Sequence, residues 1–215
     1  VLAVVLVVSP WISIIPMAVM AGMRKGEILG LRWEWVDKEA GEIRLPPDAH
    51  KTGKKTGKSR IVHLCSALVA DLKELSEARA LGNPYVFAGK PDKEGRPRHL
   101  ENLQAQWERI RVEAKLAESG KPKDEDPGLH DLRRTFASVG ADLGLKGFVG
   151  ELIGHAEKTV TDIYTRAASE RLKDAAEAIG TRIGGLLSGD IDPMKEAEER
   201  RLEKEKRLKG DAQEA

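Results

Sequence analysis

The chain opens on a run without charge, Val1 to Met23, interrupted by Pro10 and Pro16. The run is long enough to span a bilayer. Prolines in that rhythm break a helix unless neighbours repair the lost hydrogen bonds, so two short buried segments are expected rather than one span. Arg24 to Leu31 then reads as a short helix with Ile28 and Leu31 spaced to meet a core. Trp33 and Trp35 lead into two strand-like runs, Glu42 to Leu45 and Ser59 to Leu64, on either side of a basic turn. This is a hairpin signal, with Gly53 and Gly57 predicted to supply the tip.

Downstream the period changes from two to 3.6. Ser66 to Ala80 is an amphipathic helix with Leu68, Leu72 and Leu75 on one face. Pro84 to Gly89 reads as a short extended piece, Lys90 to Arg98 as a polar loop, and Leu100 to Leu116 as a helix. After a loop from Lys121 to Gly128, the next helix carries Leu132, Phe136, Val139 and Leu143 as a core-facing stripe. His130 and Arg133 lie off that stripe, three residues apart, and are expected to project together from one turn. Phe148 to Ile153 and Thr159 to Thr165 read as short helices flanking a Gly154-His155 turn. A helix from Ser169 to about Leu187 follows, then a break at Gly189 and Pro193, and a mixed-charge run, Met194 to Lys209, expected to be solvated. The pattern predicts a mainly α-helical fold with a small antiparallel β-hairpin sheet, of α+β class.

Composition adds bounds. A chain of 215 residues holds one sizeable domain with a tail, here 1–188 and 189–215. Lys and Arg number 36 against 35 acids, a net charge of +1, so the global balance says little about a polyanionic partner. The local balance says more, because Ala49 to Ile61 carries Lys51, Lys54, Lys55, Lys58 and Arg60 with no acid, as expected of a loop that meets a phosphate backbone. The single cysteine, Cys65, excludes an intrachain disulfide and a CxxC metal site, and a reducing cytoplasmic setting is the simplest inference. No carboxylate or Cys/His cluster has metal-ligand spacing, so no metal or other cofactor is expected.

One chemistry unites the remaining features. A phosphodiester is cleaved without metal if a nucleophile attacks in line, the charge on the non-bridging oxygens is neutralised, and the leaving oxygen is protonated. Arg24, in AGMRKGEILGLRW, and Arg133, in GLHDLRRTFAS, offer planar, permanently charged forks to a phosphate. Glu27 sits on the same helical face as Arg24 and is placed to orient it. Of the two tyrosines, Tyr85 lies in the apolar PYVFAG and reads as core, which leaves Tyr164, in LIGHAEKTVTDIYTRA, as candidate nucleophile. A phenol with a reference pKa near 10 must lose its proton during attack, and His130 is the candidate acceptor. Gly154 permits the tight turn that would bring His155 to the phosphate.

Arg24, a lysine of HKTGKKTGKSR, His130, Arg133, His155 and Tyr164, in that order, resemble the catalytic domain of tyrosine recombinases, the phage-integrase family, from about Gly22 to Ala168. The nine-residue step from His155 to Tyr164 matches the family pattern. The resemblance implies that His155 hydrogen-bonds a non-bridging oxygen and that a hairpin lysine protonates the 5′ oxygen as it leaves. Counting forward from EIRLP favours Lys51 and counting backward from IVHL favours Lys55; Lys51 is chosen, with Lys54, Lys55, Lys58 and Arg60 as DNA contacts. It further implies double-stranded DNA as partner, a homotetramer on two DNA sites, no membrane, and an N-terminal clamp domain that this chain is expected to lack. A type IB topoisomerase-like nicking-closing enzyme and a catalytically silent DNA-binding fragment are the rival expectations.

Overall fold

The computed structural model describes residues 11–79, 82–113, 128–154, 166–196, 198–199 and 201–202. It is mostly helical with one small sheet, as the sequence pattern predicts. Helix α1 (Trp11–Met20) occupies the centre, and Ile14, Met17, Ala18, Val19 and Met20 are all buried. A helix apolar on every side must be enclosed by protein, and α1 is enclosed by three helices introduced below. Pro16 lies within it. Among the described residues no helix is long and apolar enough to cross a membrane. Residues 1–10 of the apolar run lie outside the described residues.

Helix α2 (Lys25–Leu29) buries Ile28 and Leu29 beneath α1. Strands β1 (Val36–Asp37), β2 (Glu42–Leu45) and β3 (Arg60–His63) form an antiparallel sheet in the order β1-β2-β3, with Val36 opposite Ile43 and Ile43 opposite Val62. The β2-β3 pair is the predicted hairpin. Strand β1 is an addition, since two residues are too short for an alternating pattern to register. The predicted glycine tip is a correction. After a 3-10 turn at Pro47–Ala49, residues Lys51–Thr56 form a helix, α3, which ends on Gly57 in the left-handed region at φ 68°. Gly53 is buried within α3 rather than exposed at a turn.

Helix α4 (Ser66–Ala78) follows β3 and buries Leu68 and Leu72. The extended piece near Pro84 bridges to Arg32 through Tyr85 and to His99 through Ala88. Tyr85, expected in the core, is only half-buried, edge-on to His99 and under the Arg32 guanidinium. Helix α5 (Gln104–Glu113) is followed by α6 (Leu129–Asp142), α7 (Lys146–Leu152) and the long α8 (Arg166–Ser188). The expected helix at Thr159–Thr165 lies outside the described residues.

Helices α4, α6 and α8 pack around α1 and leave no room for side chains at the closest points. A β-carbon at Gly140 of α6 would come within 2.6 Å of Val149, and one at Gly180 of α8 within 2.5 Å of Cys65. On the sheet, buried Glu42 is held by Arg44 at 2.9 Å and by Lys173 of α8 at 3.1 Å, which ties β2 to the long helix. After α8, residues 193–196 form a helical turn and Glu196 pairs back to Arg182, with Met194 exposed.

Candidate active site

The site grows from the start of α2. Arg24 caps that helix in an extended conformation, and Glu27 reaches back to accept the Arg24 backbone N–H at 2.9 Å and its Nη1 at 2.8 Å. The carboxylate is therefore aimed by the helix itself, as in a capping box. Glu27 also accepts a 2.6 Å bond from Nη1 of Arg60, the first residue of β3. Burial alone would raise the Glu27 carboxyl, but Arg60, the Arg24 backbone N–H and the Arg24 guanidinium outweigh it and hold the group below the usual range. Glu27 is thus a buried, ionised carboxylate shared between two arginines.

Arg60 is a correction to the expectation of an exposed phosphate contact. Its side chain is 6% exposed. Nη2 donates to the Leu152 carbonyl at 2.9 Å, so the guanidinium joins β3, α2 and the end of α7. Burial lowers the Arg60 pKa, with Glu27 opposing and Arg24 adding to the shift. Gly154, in the left-handed region at φ 67°, packs on it, and a β-carbon there would lie 2.6 Å from Arg60 Nε. Its charge is already matched by the buried Glu27 carboxylate, which sets it apart as a structural cation.

Arg133 is also deeper than predicted. It shares the buried face of α6 with Phe136 and Gly140, whereas Leu143 of the expected stripe is exposed. The reason is hydrogen bonding: Nη1 donates to the Gly22 carbonyl and Nη2 to that of Ile153. Gly22, at φ 59°, lies two residues before Arg24, and Ile153 two before His155. Arg133 thereby fixes the backbone that leads to two further candidate residues. Among the described residues it has no carboxylate partner. Burial, then Arg24 and Arg60, press its pKa down to about 9, with Glu27 giving partial relief.

Three guanidiniums therefore gather around one carboxylate. Arg24 reaches the surface, with 23% of its side chain exposed, while Arg60 and Arg133 lie beneath. His130 is exposed on the first turn of α6, one turn before Arg133, where Asp131 caps the helix by accepting the Gly128 N–H at 2.7 Å. Lys51, Lys54, Lys55 and Lys58 are all exposed. Helix α3 puts Lys51 and Lys55 on one face, about 6 Å apart along the axis, so the two alternatives for the hairpin lysine are neighbours in space. His155 and Tyr164 lie outside the described residues.

Sequence reasoning missed His50. It is buried, caps α3 by accepting the Gly53 N–H, and stands close enough to Glu27, Arg60 and Arg24 to feel their charges. Its signal was faint, because histidine is not among the favoured capping residues.

The sequence matches the model of the phage integrase family over residues 12–171. It is 29% identical over 172 residues to the tyrosine recombinase XerA of Pyrococcus furiosus, a match covering 79% of this chain and 54% of that protein. It is 30% identical over 176 residues to the tyrosine recombinase XerC of Brucella suis, covering 76% of this chain and 50% of that one. The chain thus spans about half the length of these relatives. Among solved structures, the integrase from mycobacterium phage Brujita superposes with a TM-score of 0.55 at 21% identity, over 78% of this chain and 50% of that one. The Tn1549 transposon integrase, in complex with circular intermediate DNA, gives a TM-score of 0.50 at 20% identity, over 78% and 61%.

Proposed function

The chain belongs to the phage integrase family, and from that premise we propose that it is the catalytic part of a site-specific DNA recombinase, which cuts and rejoins strands through a 3′-phosphotyrosyl intermediate. The observation that carries this reading is the arginine cluster. Two guanidiniums, Arg24 and Arg133, flank a site whose one carboxylate among the described residues, Glu27, is already shared with Arg60. The excess positive charge is suited to a phosphodiester, whose non-bridging oxygens would accept the planar forks and whose charge would relieve the repulsion. Both curated relatives are named tyrosine recombinases.

In this mechanism the Tyr164 hydroxyl oxygen attacks phosphorus, and the phenolic proton passes to His130. The bond from phosphorus to the 5′ oxygen breaks as Lys51, or its helical neighbour Lys55, protonates that oxygen. Arg24, Arg133 and His155 hold the non-bridging oxygens as charge builds on them. The new ester keeps the energy of the phosphodiester, so a free 5′ hydroxyl of another strand can reverse the step without ATP. Lys54 and Lys58 contact the DNA backbone beside the cleaved bond. The partners are double-stranded DNA and, on two sites, three further copies of the protein, in a cytoplasmic setting.

The test is covalent capture on a nicked suicide duplex, from which the cut strand diffuses away. The expected result is a protein-DNA adduct in EDTA that maps to Tyr164, is absent in Tyr164→Phe, and yields strands joined to a second duplex. An adduct that survives Tyr164→Phe, or a strict magnesium requirement for cleavage, would overturn the reading.

A further inference from the structure

Between β2 and β3 the chain exposes Lys51, Lys54, Lys55 and Lys58 but buries His50. The imidazole holds the loop at two points. Nδ1 accepts the Gly53 N–H at 3.1 Å, and Nε2 lies 3.2 Å from the Lys58 carbonyl. An N–H can only donate and a carbonyl can only accept. Nδ1 must therefore be bare and Nε2 must carry the hydrogen, which selects one neutral tautomer. These two bonds tie the first turn of α3 to the residue after its left-handed cap, Gly57. Gly53 has no space for a side chain, since a β-carbon would lie 2.4 Å from the Pro47 carbonyl oxygen and 2.5 Å from His50 Nε2.

We propose that His50 is a positioning residue, a proton-sensitive latch that holds the lysine loop in the shape from which Lys51 or Lys55 protonates the leaving 5′ oxygen. This rests on the reading of a loop lysine as the general acid. Protonation would place a second N–H, on Nδ1, against the Gly53 N–H. The first turn of α3 would then lose its cap, while the Nε2 bond to the Lys58 carbonyl would persist, so the latch lets go at Gly53. The charged groups facing the ring are Glu27 and Arg24 at α2 and Arg60 on β3. Burial lowers the His50 pKa, Glu27 and the Lys58 carbonyl oppose this, and Arg60 and Arg24 add to it. The latch is therefore closed at neutral pH and opens as pH falls below the ordinary histidine value of about 6.5.

Single-turnover cleavage of an ordinary duplex, and of one with a 5′-bridging phosphorothiolate at the scissile position, tests the role. A thiolate leaves without a proton, so it bypasses any defect in delivering one. His50→Ala is expected to slow the ordinary duplex about tenfold to a hundredfold and to cleave the phosphorothiolate at nearly the wild-type rate. His50→Asn, which restores an acceptor for the Gly53 N–H, should recover most of the loss and make the acid limb of the wild-type pH profile shallower, leaving the part that His130 contributes as proton acceptor. Equal slowing of both duplexes by His50→Ala, or an unchanged acid limb in His50→Asn, would overturn the proposal. If the wild-type protein forms no adduct with either duplex, the functional reading fails by itself. The latch is judged separately by the protection of the Gly53 amide against hydrogen exchange. That protection should fall in His50→Ala and in wild-type protein below pH about 6.5; protection unchanged in both would remove the latch.

Discussion

A guanidinium offers two parallel N–H bonds in a plane, an ammonium only a point of charge. Arg24 and Arg133 each use part of that fork inside the protein, on Glu27 and on the Gly22 and Ile153 carbonyls. Arg24→Lys and Arg133→Lys are therefore each expected to slow adduct formation by about 10²–10³-fold despite equal charge, measured in single turnover. Glu27→Gln would leave Arg60 and Arg24 without their counter-charge. Removing one partner of a buried pair costs about 3–5 kcal/mol, so the urea midpoint should fall at unchanged slope. The Arg24–Glu27 pair was legible in the sequence because it is local, three residues placing Glu27 one helical turn from Arg24; the burial of Arg133 was not, since its partners are 111 and 20 residues away. Arg60 was not, since its partners, Glu27 and Leu152, are 33 and 92 residues away. A run of lysines also made it look like one more exposed cation.

Helix α8 lies so close to the sheet side of the core that glycines set its approach. Gly180→Ala would drive a methyl to 2.5 Å from Cys65, whereas Gly184→Ala would place one at 3.7 Å from Met20, an ordinary contact. Overpacking costs about 1–3 kcal/mol, while alanine gains up to about 1 kcal/mol over glycine inside a helix. Thermal unfolding should show the first variant melting below the wild type and the second at or above it. Strands β2 and β3 and helices α4, α6 and α8 were readable because each repeats its period over several residues. Helix α3 was not. Two glycines in KTGKKTG read as a turn, and only the capping by His50 and the left-handed Gly57 make the segment helical. With Lys54 and Lys55 in its last turn, α3 also has favourable charge at its C-terminal end.

Across the whole molecule, buried histidines set the acid limit. Burial lowers the pKa of His63, against the pull of Glu42 and with the push of Lys173 and Arg44, and His50 is lowered in the same direction. The unfolded chain then binds protons that the folded chain refuses. Stability should be full above the ordinary histidine value of about 6.5 and should fall as pH drops below it. Glu27, held low, extends the loss further into acid as its own carboxylate protonates. Urea midpoints from pH 8 to pH 5 check this, and His63→Gln should flatten the first part of the fall. On DNA, four exposed lysines share one loop. Lys54→Ala and Lys58→Ala should each reduce the slope of log affinity against log salt by about one, while Arg60→Ala should act through folding instead. Arg60 and Gly154 have a last consequence, for how such a protein can change over generations. A side chain at 154 collides with Arg60, and a shorter residue at 60 frees Glu27 from one arginine and Leu152 from its tether. In a library selected for activity, Gly154→Asn, which tolerates the left-handed backbone, should be recovered together with a shortened residue 60 and seldom alone. The two positions are epistatic, and the order of the steps decides which mutational paths stay open.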